Sequence, residues 1–258
     1  MATFDGLTVL LTGASGGFGR RLAQRLAAKG ARLVLSDLKE EPLTSLAETL
    51  NTETAILAGD IADEALSEQL VSLAQERFGG LDIAINNAGI AQNFVKFHLV
   101  PSDEARRVID VNLMGVFYAM KHQLPLMERQ YRKEKRRGAI VNVASIAGLA
   151  GAPRLAAYSA AKHGVIGLTR TAAAEYATRG VRVNAVCPSF SRTEMVTETL
   201  KLLPGNPARA EAGLTRGVPM RRLGEVDEVV EVILFAANPA NSFMTGQALA
   251  ADGGIMAI

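Results

Sequence analysis

One cysteine and three histidines in 258 residues leave little for thiol or imidazole chemistry. Cys187 alone excludes an internal disulfide framework and fits a reducing compartment, and its place at the end of an apolar run makes it a core thiol. His98, His122 and His163 stand apart, so neither a metal cluster nor a serine-histidine triad is expected. No apolar run approaches the roughly 18 residues of a membrane span. The first residues show no basic segment, apolar core and cleavage site in succession. The expectation is a cytoplasmic protein with no membrane partner. An excess of charge is also missing: 28 basic against 26 acidic residues, net +2, give no global bias toward nucleic acid. There is no repeat, linker or low-complexity tract. With 48% hydrophobic and 21% charged residues, residues 1–258 are expected to form a single α/β domain with a substantial core.

What the chain does have is an alternation of strand and helix. Residues 7–12 (LTVLLT) end in 13–19 (GASGGFG), and the helical pattern RRLAQRLAAKG follows. Glycines let the backbone turn tightly and approach a phosphate, to which a helix amino terminus offers free N–H groups and a positive dipole. The spacing is G-x-x-x-G-x-G rather than the G-x-G-x-x-G dinucleotide fingerprint, so a plain turn stands beside the phosphate-binding reading. Residues 32–36 (RLVLS) lead to Asp37, 18 residues after Gly19. An acidic residue at about that spacing meets an adenosine ribose; a helix cap before residues 38–50 is the other reading. A strand at 54–58 precedes Gly59, Asp60 and Ile61, and a helix at 64–78 ends in Gly79 and Gly80. A strand at 82–85 then runs into Asn86, Asn87, Ala88 and Gly89, small enough for a ligand to pass close to the backbone. This order predicts a doubly wound parallel sheet with helices on both faces.

A long helix is expected from Ser102, with Asp103 and Glu104 in its first turn and Asn112 set among apolar residues. A buried amide needs a partner, and a backbone-satisfied Asn and a catalytic one are both open. Residues 129–137 (RQYRKEKRR) carry six bases and one acid at the end of that helix, and read as a solvated turn rather than a nucleic-acid patch. Residues 138–145 (GAIVNVAS) read as a buried strand with Ser145 at its carboxyl end, where open α/β sheets bind ligands. If Tyr158 opens the next helix, Lys162 lies four residues on and shares its face. A cation beside a phenol favours phenolate and makes Tyr158 a usable acid or base. Taken alone, such a pair is more often a solvated face. A strand at 181–187 is followed by the irregular segment 188–219, which holds four prolines and reads as a substrate lid. A helix at 226–237 and a strand at 247–251 complete the chain.

Together these features closely resemble the short-chain dehydrogenase/reductase family over the whole chain. The family turn T-G-x-x-x-G-x-G falls on Thr12, Gly13, Gly17 and Gly19, its N-N-A-G on residues 86–89, and its catalytic Asn, Ser, Tyr and Lys on Asn112, Ser145, Tyr158 and Lys162. The resemblance implies a seven-stranded parallel, Rossmann-like sheet binding NAD or NADP, and a homotetramer or dimer built on the two long helices. It further implies hydride transfer between the nicotinamide and a secondary alcohol or ketone. Tyr158 would move the alcohol proton, Lys162 would lower its pKa and bind the nicotinamide ribose, Ser145 would hold the substrate oxygen and Asn112 would order a water. Cofactor contacts are expected from Gly13, Ser15, Gly17, Phe18, Gly19, Asp37, Asp60, Ile61, Asn87, Ala88, Gly89, Tyr158, Lys162, Pro188, Ser189, Ser191 and Thr193. Ser189 departs from the family, which usually has Gly after the proline, and Thr193 matches its contact to the nicotinamide amide. Asp37 and Gly16 imply NAD over NADP, since NADP-preferring relatives often carry a basic residue at the latter. Phe94, Phe97, Leu155, Phe190 and Met195 imply a mostly apolar substrate pocket, with Arg154 a hint of an acidic group. A nucleotide-binding regulatory or scaffold protein without turnover is the alternative.

Overall fold

The strands are rich in Val, Ile, Leu and Ala with few charges, a composition that suits burial on both faces of a parallel sheet. The computed structural model describes residues 4–194, 196, 197, 200 and 207–258. Its strands are β1 (Thr8–Thr12), β2 (Arg32–Ser36), β3 (Thr54–Ile56), β4 (Ile83–Asn86), β5 (Gly138–Val143), β6 (Val181–Pro188) and β7 (Ala248–Ala251). They form one parallel seven-stranded sheet in the order β3-β2-β1-β4-β5-β6-β7. β1, β4 and β5 are buried throughout, and β7 at the edge is half-exposed.

The helices are α1 (Gly17–Ala27), α2 (Glu40–Glu48), α3 (Glu64–Phe78), α4 (Ser102–Ile109), α5 (Gly115–Glu134), α6 (Ala156–Tyr176), α7 (Pro207–Thr215) and α8 (Val226–Ala237). Side-chain alternation along the strands sorts the core into two layers. Val9, Leu11, Leu33 and Ile85 pack with Leu22 and Leu26 of α1 and Ile233 of α8; Leu10, Val34, Ala84 and Ile140 pack with Leu70 of α3, Met120 of α5 and Val165 of α6. Each such Val, Leu, Ile or Met side chain is worth about 1.5–3 kcal/mol on full burial, so the two layers fix the sheet between its helices.

Local signals set the ends. Asp63 caps α3 by accepting from the Ala65 N–H at 3.0 Å, and Gly79 closes it in the left-handed region at φ 73°. Glu225 and Glu228 form a reciprocal capping box on α8. The long helix expected from Ser102 is interrupted by a π-helical turn, Asp110–Met114, between α4 and α5. The basic segment after α5 is not wholly solvated. Arg136 makes a two-pronged ion pair with the buried Asp82, at 2.5 and 2.6 Å, and that carboxylate also accepts from the Thr8 N–H at 2.8 Å. The pair ties the entry of β5 to β1 and β4. Neighbour order reverses between β1 and β4, so the crevice for a ligand opens above their carboxyl ends.

Candidate active site

A cavity of about 730 Å³ occupies that crevice, and most of the expected cofactor contacts line it: Gly13, Gly17, Phe18, Asp37, Asp60, Ile61, Asn87, Ala88, Gly89, Tyr158, Lys162, Pro188, Ser189, Ser191 and Thr193. Ser15 and Gly19 stand outside that lining. Ser15 instead donates to Asp37 Oδ2 from its N–H at 2.9 Å and from its hydroxyl at 2.6 Å. Gly19 is a packing glycine: a Cβ there would lie 1.9 Å from the Gly13 carbonyl oxygen, so only glycine lets α1 start so close to the turn. Gly13 sits at φ +64° against the Ala88 backbone, and Thr12 Oγ1 accepts from the Asn87 and Ala88 N–H groups at 3.1 and 3.2 Å. The glycine turn and the residues after β4 are therefore one unit.

The amino terminus of α1 fits a pyrophosphate. Its N-cap is Gly16, which has no side chain to satisfy the first-turn N–H groups, and that turn contains no acid. Asp37, at the end of β2, is not the cap of α2; Lys39 holds that position. The Asp37 carboxylate lines the cavity, held by Ser15 and by the Leu38 N–H at 2.7 Å. Asp60 accepts from the Ala62 N–H at 3.0 Å and pairs with Arg107 at 2.8 Å. Arg107 lines the cavity too, and nothing in its sequence surroundings marks it for that place.

Deeper in, Ser145 follows β5, and its hydroxyl accepts from the Ala147 N–H at 3.1 Å and donates to the Pro188 carbonyl at 3.5 Å. Tyr158 lies in the first turn of α6. Burial raises its pKa above the ordinary tyrosine value, and a hydrogen bond with Ser145 works in the other direction. Lys162 is buried, with Nζ 5.6 Å from the centre of the Tyr158 ring, and donates to the Val143 carbonyl at 2.8 Å. Burial depresses its pKa to about 8. The shared face is thus as expected, but the ammonium bonds the backbone and the phenol is raised rather than lowered, because desolvation outweighs the hydrogen bond with Ser145.

Asn112 is fully buried in the π turn, with both ends of its amide on Ile90: Oδ1 accepts from the N–H at 2.8 Å and Nδ2 donates to the carbonyl at 2.9 Å. Ser189 lines the cavity, but its Oγ is buried with no hydrogen-bond partner among the described residues, so the hydroxymethyl group points into protein. Phe94, Leu155 and Phe190 line the cavity as expected; Phe97, 82% exposed, and Arg154 do not, and Met195 lies outside the described residues. Ile255 and Met256 near the carboxyl terminus also line it, unforeseen because they follow the last strand. Within the expected lid, residues 195, 198, 199 and 201–206 lie outside the described residues. Cys187 is buried, with its thiol pushed up to about 11 by burial, as suits a core thiol.

Residues 13–256 match the family model described as Enoyl-(Acyl carrier protein) reductase. The chain belongs to the short-chain dehydrogenase/reductase family. Levodione reductase of Leifsonia aquatica is 38% identical over 257 residues, covering 97% of this chain and 94% of the relative. The 2,5-dichloro-2,5-cyclohexadiene-1,4-diol dehydrogenase of Sphingobium indicum is 37% identical over the full length of both chains. A crystal structure of levodione reductase superposes with a TM-score of 0.93 at 36% identity, covering 98% of this chain and 99% of that one. This short-chain dehydrogenase/reductase is an oxidoreductase of secondary alcohols and ketones that works with a nicotinamide cofactor. A silent scaffold has no feature in its favour. Among the described residues, no cluster of His, Cys, Asp and Glu could hold a metal ion, and no helix is long and apolar enough to cross a membrane.

Proposed function

We propose that the protein oxidises secondary alcohols on apolar rings, and reduces the matching ketones, with NAD(H) in preference to NADP(H). The observation that carries this reading is the meeting of Ser145, Tyr158 and Lys162 in one apolar-walled cavity that also holds the Asp37 carboxylate. The ring preference is supported by the relative named for a cyclohexadiene-1,4-diol.

When bound, a nicotinamide supplies the hydride acceptor and, oxidised, a positive charge. The Ser145 hydroxyl holds the substrate oxygen beside the Tyr158 phenol, and the phenolate takes the alcohol proton as the C–H hydride leaves. A phenol raised by burial needs positive charge nearby to act at neutral pH. Lys162 provides it by turning from the Val143 carbonyl toward the ribose and the phenolate. Asn112 braces Ile90, and the remaining N–H and lone pair of its amide order a water behind Lys162. The α1 terminus and the glycine turn take the pyrophosphate, and Asp37 takes the adenosine ribose. The chain is one catalytic domain with 188–219 over the substrate, and it works as a cytoplasmic homo-oligomer, dimer or tetramer. An exposed Phe117 on α5 supports association through the long helices.

A panel of cyclic and open-chain secondary alcohols, followed by NADH absorbance, tests the reading. Cyclic alcohols should be turned over fastest, and NAD bound without turnover of any alcohol or ketone would refute it. Light scattering reads the assembly; a monomer would refute that part.

A further inference from the structure

Two segments give the cavity an apolar wall. One follows β4 and contributes Ile90, Ala91 and Phe94; the other precedes α6 and contributes Ala150 and Leu155. Within residues 90–94 and 150–155, Gln92 is the only polar side chain that lines the cavity. It is 3% exposed, so its amide has little water to fall back on.

The bonds of that amide fix which end is which. Oε1 accepts from the Tyr158 backbone N–H at 3.0 Å, satisfying one of the donors left over in the first turn of α6. Nε2, with two hydrogens to donate, has one partner among the described residues, the Arg154 carbonyl at 3.5 Å, the far limit of a hydrogen bond. Arg154 sits at φ +70°, a conformation that a non-glycine residue rarely adopts, and its side chain does not line the cavity. A buried donor so poorly satisfied favours any ligand that brings it an oxygen and penalises a ligand that covers it with carbon.

We propose that Gln92 Nε2 binds a second oxygen of the substrate, so that this enzyme prefers ring alcohols and ketones bearing a further hydroxyl or carbonyl. This rests on the ring-substrate reading above and narrows it. Gln92 is then a specificity-determining residue: Ser145 and Tyr158 hold the reacting oxygen, and Gln92 sets which way round the ring lies. A site built to bond a polar group discriminates strongly against an analogue lacking it, whereas an apolar wall discriminates only weakly.

The test is the ratio of kcat/KM for 3- or 4-hydroxycyclohexanone, whichever is better, to that for cyclohexanone, with NADH. It is measured in wild type, Gln92→Glu and Gln92→Leu. Gln92→Glu keeps an acceptor for the Tyr158 N–H and loses the donor; Gln92→Leu loses both. Both kinds of ketone need the same Tyr158, so damage to α6 lowers both rates and divides out of the ratio. The expected wild-type ratio is at least about tenfold, falling to within about threefold of unity in both variants, a loss of roughly 0.7 kcal/mol of discrimination or more. A wild-type ratio below tenfold, or a ratio that either variant leaves within twofold of wild type, overturns the proposal while leaving the oxidoreductase reading standing. Failure to reduce any of the three ketones, with NADH bound, overturns the ring-substrate reading and this proposal with it.

Discussion

Removing the charge of Asp37 should open the enzyme to NADP. The carboxylate lines the cavity at the end of β2, and Ser15 and Leu38 hold it in place with three donors at 2.6–2.9 Å. A unit charge 4 Å from another costs about 4 kcal/mol at an effective dielectric near 20, and a 2′-phosphate brings more than one charge. Asp37 is half-exposed, so water and salt screen part of this. About a third of the unscreened figure, roughly 1.4 kcal/mol, still gives tenfold in kcat/KM. Lys39 and Arg20 are the nearby cations in sequence, but neither lines the cavity; the Arg20 guanidinium bonds the Ser15 carbonyl at 3.1 Å. A Cβ on Gly16 would meet nothing within 4 Å, so a larger residue would fit there but none supplies a charge. Asp37→Asn is a poor probe, because donors already face both carboxylate oxygens and an amide would set its NH₂ against one of them. Asp37→Ser is preferred. Initial rates with both cofactors at low and high salt should give wild type at least tenfold in favour of NAD, less at high salt, and a much narrower ratio in the variant. Equal or better efficiency with NADP in wild type, or an unchanged ratio in Asp37→Ser, would refute the reasoning.

Tyr158→Phe removes only the phenolic oxygen and should lower kcat by at least about 10² while leaving the NAD dissociation constant within threefold; turnover at the wild-type rate would sink the assignment. Lys162 has a folded pKa of about 8 against an ordinary 10.5, so between these values the unfolded chain carries a proton that the native protein lacks, and stability rises with pH. Urea unfolding of the cofactor-free protein should show wild type gaining on the order of 2 kcal/mol over Lys162→Met from pH 8 to pH 10; parallel profiles would contradict the buried amine. Ser189→Ala removes a hydroxyl with no partner among the described residues and should stabilise the protein by about 1 kcal/mol in the same assay. A destabilised variant would mean that the hydroxyl is bonded after all.

The sheet was legible because its central strands β1, β4 and β5 are buried on both faces, which turns each into a continuous apolar run closed by small or polar residues. The end of α3 was legible because capping chemistry is local: Gly79 closes it. Side-chain direction was not legible. Asp37 had a helix cap as its other reading, and what holds it in place is Ser15, 22 positions earlier in the chain. Nothing in residues 102–134 announces the π turn, because its one buried amide answers to the backbone of Ile90, in another segment. Spacing put Tyr158 and Lys162 on one face, but a carbonyl of β5 decides where the ammonium rests.

These long-range ties share a logic. Ile90 is held by Asn112 from the π turn, and two residues on Gln92 holds Tyr158 at the start of α6. The short segment after β4 therefore links the π turn that carries Asn112 to the helix that carries Tyr158 and Lys162, while Thr12 binds its beginning to the glycine turn. Gly89, within that span, is the point of closest approach: a Cβ there would lie 3.0 Å from Asn112 Oδ1 and 3.6 Å from Lys162 Nζ. Small residues after β4 thus serve more than ligand access. They let a buried amide and a buried ammonium, carried on separate helices, share one space beside the backbone, and the register of α6 against the sheet is set by the same residues that wall the substrate cavity. A polar contact made by Gln92 with a substrate would then be made by the residue that also holds Tyr158, so recognition and proton transfer are joined through one side chain.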